Sequence, residues 1–337
     1  MQKILVIQTA FIGDVVLATA MVEKLARFYP DAEIDFLLRK GNERLLDNNP
    51  HLHEVLVWNK KEKKMRNLFS MLVEIRKRRY DIVINLQRFF ATGLLTAFSA
   101  GKQRIGFDKN PLSFLFSKKV KHVIASSEGN KHEVERNNDL ILSLTDDSFT
   151  KPKLYPSEND FASVEVYTHT PYVTMTPNSV WFTKQYPAEK WRELMNSFPS
   201  EYKIYLLGGK ENIADCEQLK RNSSNTNVEV LTGKLSFLQS AALMKTAAMN
   251  YVNDSAPLHF ASAMDAPVTA IFCSTVPAFG FTPLSDQSYI VETKVQLSCR
   301  PCGLHGYKAC PEGHFKCALT IETEQLLQTL TKSSAIA

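Results

Sequence analysis

A few short stretches hold the residue types that group-transfer chemistry needs. In residues 4–17, ILVIQTAFIGDVVL, an apolar run leads through Gly13 and Asp14 into a helical pattern. Gly13 lets the backbone turn sharply or approach another group closely. Asp14 stands at a helix start, where the partial positive charge of the helix end keeps a carboxylate ionised. At the C-terminal end of a first parallel strand, such a carboxylate is placed to be a catalytic base or a ligand contact. A plain helix cap is the competing role.

Residues 253–259, NDSAPLH, also follow a strand-like run and open a helix. Backbone amides at that start, with the Ser255 hydroxyl, suit a phosphate. Asp254, Ala256, Pro257 and Leu258 frame it, and His259 falls in the first turns. A Ser/Asp cap beside a half-buried histidine is the plainer alternative. Residues 176–184, TPNSVWFTK, form a polar turn with Ser179 and end in Lys184, a point charge suited to pyrophosphate. Taken alone, that lysine reads as a surface residue. Glu211, after Gly208 and Gly209, can accept hydrogen bonds from ribose hydroxyls or serve as a helix-start acid. No G-x-G-x-x-G or Walker sequence occurs, so hydride transfer and ATP hydrolysis lack their usual loop.

Together these stretches point to a nucleotide diphosphate held by the second half of the chain, with Asp14 facing it from the first. That arrangement suits sugar transfer. The diphosphate leaves, positive charge develops on the anomeric carbon, and a base takes the proton of the attacking hydroxyl. Base catalysis of this kind contributes about 10²–10⁴-fold. Lys184 and the amides near Ser255 would stabilise the leaving charge. They could do so without a metal ion, and no D-x-D sequence is present to hold one.

The elements that must position these groups alternate. The first half predicts strands at 4–9, 33–38, 54–58, 81–86 and 103–106. Helices are predicted at 14–28, 68–79, 91–98 and 132–144. Residues 150–160, rich in Pro, Ser and charge, read as a linker. The second half predicts strands at 172–176, 203–207, 228–231, 250–253 and 268–272, with helices at 188–197, 213–221, 235–248 and 256–264. Such alternation predicts an α/β fold of two Rossmann-like domains, 1–160 and 170–318, each with a parallel sheet covered on both faces. A ligand cleft between their strand ends is expected.

Composition is that of an ordinary globular protein, 44% hydrophobic and 22% charged over 337 residues. The apolar run at 4–7 is too short for a signal core, and no stretch approaches the length of a membrane span, so a cytoplasmic protein is expected. Residues 1–150 carry 24 Lys and Arg against 18 Asp and Glu, whereas the remainder carries 16 against 17. The excess concentrates in residues 60–79, with nine basic and two acidic residues. There Leu68, Met71, Leu72 and Ile75 recur at helical spacing. A basic amphipathic helix fits an anionic lipid surface or an anionic substrate, and equally a solvated helix with one core face. A pI of 8.7 with no recognised motif argues against nucleic acid. Of six cysteines, Cys216 and Cys273 read as core residues. Cys299, Cys302, Cys310 and Cys317, with His305 and His314 among them, favour metal over disulfide in a cytosolic chain. Their C-x2-C-x7-C-x6-C spacing matches no standard zinc pattern.

The chain resembles the bacterial lipopolysaccharide heptosyltransferases of glycosyltransferase family nine. The likeness runs through ILVIQTAFIGDVVLATAMVEKL at the start, DIVINLQ at 81–87, RIGF at 104–107, HEVERN at 132–137 and TPNSVWFTKQYPAEKW at 176–191. It continues in LLGGKE at 206–211, LTGKLSFLQSAALM at 231–244, NDSAPLHFASAMDAPVTAIF at 253–272 and the ending CRPCGLHGYKACPEGHFKC. The resemblance implies a GT-B fold, with a C-terminal helix in 319–337 that packs back on the first domain. It implies inverting, metal-independent transfer of a heptose or related sugar from an ADP-sugar to the lipopolysaccharide inner core, at the inner face of the membrane. Asp14 would be the base. Lys184 and residues 254–259 would hold the donor diphosphate with Ser179 nearby, Leu235 by the adenine and Glu211 by the ribose. Gly13, Arg104 and His132 would lie on the acceptor side. No cofactor is implied beyond the donor. The chain departs from the family at Ala256, where glycine is usual, and at Asn178 and Trp181, where small residues are common. A non-catalytic nucleotide-sugar-binding protein and a nucleotide-sugar epimerase remain alternatives on the same fold.

Overall fold

A computed structural model of the chain describes residues 1–124 and 130–334. It divides into two units, Met1–Tyr155 and Pro156–Ala337. In the first, the strands β1 (Lys3–Ile7), β2 (Glu33–Arg39), β3 (Glu54–Trp58), β4 (Ile82–Asn85), β5 (Gln103–Phe107) and β6 (Lys118–Val120) form one sheet, in the order β3-β2-β1-β4-β5-β6. Every pairing in it is parallel. Its helices are α1 (Ile12–Phe28), α2 (Lys64–Arg78), α3 (Phe90–Ala97) and α4 (Glu133–Asp139). Central strands of such a sheet are buried on both faces, which is why Ile4, Leu5, Val6 and Ile7 form an unbroken apolar run and are all fully buried. From α2, Leu68 and Ile75 pack onto Leu5, Ile7, Trp58 and Tyr80.

The second unit opens with α5 (Glu158–Val164). It continues with β7 (Tyr172–Thr176), α6 (Ala188–Ser197), β8 (Lys203–Leu206), α7 (Ile213–Asn222), β9 (Val228–Val230), α8 (Phe237–Lys245), β10 (Met249–Asn253), α9 (Ala256–Met264), β11 (Val268–Phe272) and β12 (Ser288–Glu292). It ends with α10 (Lys316–Leu319) and α11 (Thr323–Ser334). The strand order β12-β11-β10-β7-β8-β9 is again parallel throughout. Counted from β7, this repeats the order of the first sheet. Each unit is thus a doubly wound Rossmann-like sheet, as in GT-B proteins. Each has one topological switch point, between β1 and β4 and between β7 and β10, where connections diverge to opposite faces and leave a crevice at the strand C-termini.

Several expected boundaries move. The second unit begins at Pro156 rather than 170, because the expected linker at 150–160 contains the start of α5. Ser157 caps that helix, its hydroxyl accepting from the Asp160 amide at 3.2 Å, and the helix packs on α8. The helix expected at 132–144 is only α4, since Asn137, Asn138 and Asp139 are weak helix formers. The helix expected from 235 starts at Phe237, capped by Ser236 with Gln239 reciprocating. The strands β6 and β12 were not expected. The terminal helix α11 belongs to the second unit, where Leu326 and Leu330 lie in the core with Tyr251 and Ile271. Residues 335–337 of that expected segment lie outside the described residues.

Candidate functional site

In the first unit, Asp14 is the third residue of α1, and its carboxylate accepts a hydrogen bond from the Phe11 amide at 3.0 Å. The carboxylate therefore caps the start of α1 just beyond the end of β1. Gly13 is buried inside the same helical turn, so it makes no sharp turn there. The loop between β1 and α1 is tied to its neighbours. Lys60 Nζ donates to the Thr9 carbonyl at 2.9 Å and hydroxyl at 2.7 Å. Gln87 Nε2 donates to Gln8 Oε1 at 2.5 Å, and the same oxygen accepts from the Ala10 amide at 3.2 Å.

Cations crowd this end of the sheet. The Arg39 guanidinium lies over the Phe11 ring, 4.9 Å from its centroid. Burial lowers the pKa of Arg39 while Asp14 opposes the shift. Burial pushes Lys60 down to about 8, with Arg39 and Lys64 adding to it. A second carboxylate, Glu133, is held above its usual range by burial and by Asp14, against the pull of Arg136 and Arg88. Arg136 Nη2 pairs with Glu133 at 2.7 Å. His132, the cap of α4, accepts the Val134 amide on Nδ1 at 3.1 Å, and α4 packs on α1. Arg104 lies in β5, registered with Val83, which pairs with Leu5, two residues before β1 finishes.

In the second unit, the candidate donor residues follow four adjacent strands and so collect at one edge. Lys184 ends a short turn after β7, and its Nζ lies 2.7 Å from Asp254 Oδ2. The Thr275 hydroxyl donates to that same oxygen at 2.6 Å. Asn253 holds the neighbouring loop, accepting from the Tyr186 amide at 2.9 Å and donating to the Pro177 carbonyl at 2.8 Å. At the start of α9, the Asp254 amide is taken by the Ile271 carbonyl and the Leu258 amide by the Ser255 carbonyl. Pro257 carries no N–H. The donors at this helix start are thus the Ser255 and Ala256 amides, fewer than a free helix end offers, while the Ser255 hydroxyl donates to the Asn253 carbonyl at 3.4 Å. Leu258 is fully buried and belongs to the core, and His259 is buried beside the Phe281 ring. Glu211 lies exposed in the turn after β8, its carboxylate folded against Gly209. Leu235 follows β9, and the Gly233 amide donates to the Gly208 carbonyl at 2.9 Å, joining those two loops. A Cβ at Gly233, where φ is +74°, would come within 2.9 Å of Ile213 Cδ1. Ser179 accepts from Gln185 Nε2 through its carbonyl at 2.7 Å. Asn178 turns away to Asp215 Oδ2, 3.0 Å, and lines a cavity of about 430 Å³ against α6 and α7 that excludes Lys184 and Asp254.

The six cysteines are free thiols. Among the described residues, no three ligand atoms of the 299–317 cysteines and histidines converge within 4.8 Å; the one group that does is Asp35, His53 and Glu54. That group lies at the starts of β2 and β3, the opposite end of the sheet from Asp14. Arg78 already compensates it, with Nη1 3.2 Å from Asp35 and Nη2 2.9 Å from Glu54, and Tyr80 donates to Asp35 as well. On α2, Met65, Phe69 and Val73 are each more than half exposed, a second apolar stripe flanking the core face. Among the described residues, no helix is long and apolar enough to cross a membrane.

The family model for glycosyltransferase family 9 (heptosyltransferase) matches residues 68–308. Lipopolysaccharide heptosyltransferase 3 of Escherichia coli is 28% identical, over 79% of this chain and 82% of its own. The solved family 9 glycosyl transferase of Veillonella parvula superposes with TM-score 0.86 at 21% identity, covering 100% and 98% of the two chains. The E. coli ADP-heptose LPS heptosyltransferase II superposes at 0.82 with 20% identity, covering 98% of both.

Proposed function

The chain belongs to glycosyltransferase family 9 (heptosyltransferase), and on that footing we propose that it moves a heptose from an ADP-sugar to a lipopolysaccharide inner-core acceptor, inverting the anomeric centre without a metal. The observation that carries this reading is the Lys184–Asp254 pair, 2.7 Å apart at the switch point of the second sheet beside the start of α9. An arriving diphosphate finds an ammonium with two further hydrogens and the Ser255 and Ala256 amides. These donors neutralise the charge that builds on the departing ADP. Glu211 binds the ribose and Leu235 lies against the adenine. Asp14 takes the proton from the acceptor hydroxyl, and the Arg39 guanidinium favours its ionised form. Gly13 and His132 border the acceptor, whose phosphates suit the surrounding cations. The exposed Met65–Phe69–Val73 stripe and its flanking lysines and arginines support peripheral contact with an anionic membrane, where a lipid-linked acceptor resides.

The test incubates the protein with ADP-heptose and a core lipopolysaccharide lacking the terminal heptose, with and without prior chelation. The expected product gains one heptose, carries the anomeric configuration opposite to the donor's, and forms at the same rate after chelation. Retained configuration or loss of turnover on chelation would contradict the mechanism. Conversion of the donor without acceptor would favour the epimerase reading, and tight donor binding with no product the binding-protein reading.

A further inference from the structure

The Cys/His-rich stretch 299–317 takes no part in the chemistry above, yet it grips both sides of the Lys184–Asp254 pair. On the carboxylate side, Arg300 donates through Nη2 to the Thr275 carbonyl at 2.8 Å and through Nε to the Cys273 carbonyl at 2.8 Å. The Cys302 amide donates to the Ser274 carbonyl at 2.9 Å. Thr275 is the residue whose hydroxyl holds Asp254. On the lysine side, the Thr183 amide donates to the Tyr307 carbonyl at 3.1 Å. The Tyr307 amide donates back to Thr183 Oγ1 at 2.8 Å. Ser274 Oγ lies 3.0 Å from the same hydroxyl, and Thr183 is only 1% exposed. The chain reaches this point through Gly306, whose φ of +75° and close approach exclude a side chain: a Cβ there would lie 2.8 Å from Thr183 Oγ1 and 3.3 Å from Lys184 Cγ. Phe182, which begins the lysine turn, stacks on Phe315 with ring centroids 5.1 Å apart.

We propose that Thr183 is a positioning residue for Lys184, and that the 299–317 stretch braces the lysine turn through Gly306 and Tyr307. A lysine on a flexible stem loses rotational freedom whenever it is fixed on a ligand. Anchoring its backbone on both hydrogen-bonding groups of Thr183, and its partner carboxylate through Thr275, removes part of that cost before the diphosphate arrives. The brace rests on the assignment of Lys184 to the diphosphate, so the experiment separates the two.

ADP affinity is measured by calorimetry on the full chain, with thermal unfolding recorded for each variant. Thr183→Val is expected to raise the ADP Kd roughly fivefold, the size of one lost neutral hydrogen bond, and Thr183→Ser to restore it. Gly306→Ala is expected to act in the same direction, and if its strained backbone prevents folding, Thr183→Val still decides. A residue acting through Lys184 adds nothing once the lysine is gone, so Thr183→Val/Lys184→Met should bind ADP no more weakly than Lys184→Met alone. A lowered Tm with unchanged Kd in Thr183→Val, or full additivity in the double variant, overturns the brace. An unchanged Kd in Lys184→Met overturns the lysine assignment and the brace with it.

Discussion

Asp14 accepts the Phe11 amide through the same carboxylate that is proposed to take the acceptor's proton. The two roles separate by substitution. Asp14→Asn keeps an oxygen that can accept from Phe11 but removes the base. Its kcat is expected to fall about 10²–10⁴-fold with donor affinity and Tm nearly unchanged, in steady-state kinetics alongside thermal melts. Asp14→Ala should lose the cap as well, at about 1 kcal/mol in denaturant unfolding. Asp14, Lys184 and Asp254 were legible because each follows an apolar strand run within a few residues of a helix or turn signal. Their partners were not. Lys60 binds Thr9 across 51 residues, Thr275 binds Asp254 across 21, and Arg300 binds the Cys273 carbonyl across 27. Nothing in a linear pattern marks such pairs, because each side chain alone reads as an ordinary surface or loop residue.

At the scale of the element, α2 has two apolar faces. Leu68 and Ile75 are buried in the core, whereas Met65, Phe69 and Val73 point outward among basic residues. The helical spacing at 60–79 revealed the inner face, and only burial distinguished the outer one. The double variant Met65→Ser/Phe69→Ser should bind anionic vesicles more weakly in co-sedimentation, while wild-type binding should weaken as salt rises. Equal binding by both proteins would assign the helix a purely structural role. Near the same sheet end, His122 packs edge-on against Phe107, ring centroids 4.5 Å apart. Burial, with Arg88 and Arg136, pushes it from 6.5 to about 4; Asp108 opposes the shift and Lys109 adds to it. The unfolded chain therefore binds a proton between these values that the folded chain refuses. Stability contributed by the neutral ring is present above about pH 6.5 and lost as pH falls towards 4. His122→Gln should flatten that fall in urea midpoints measured across this window.

At the scale of the whole molecule, each unit has its own parallel sheet and its own buried core. Because α5 packs on α8 and α11 fills the second core, a fragment of residues 156–337 should fold alone and bind ADP as tightly as the full chain. A fragment begun at residue 170 loses α5 and should melt at lower temperature in circular dichroism. Loss of ADP binding in the longer fragment would show that residues of the first unit contribute to the donor site.

Alternation of strand and helix, and the position of each strand-end turn, could be read along the chain because they follow from periods of 2 and 3.6 residues and from local turn and cap residues. Strand order, the extent of α5 and α11, and the second layer around Lys184 and Asp14 came only with the tertiary structure. Those features depend on which distant surfaces bury one another, and burial is a property of the packed sheet rather than of any window of sequence.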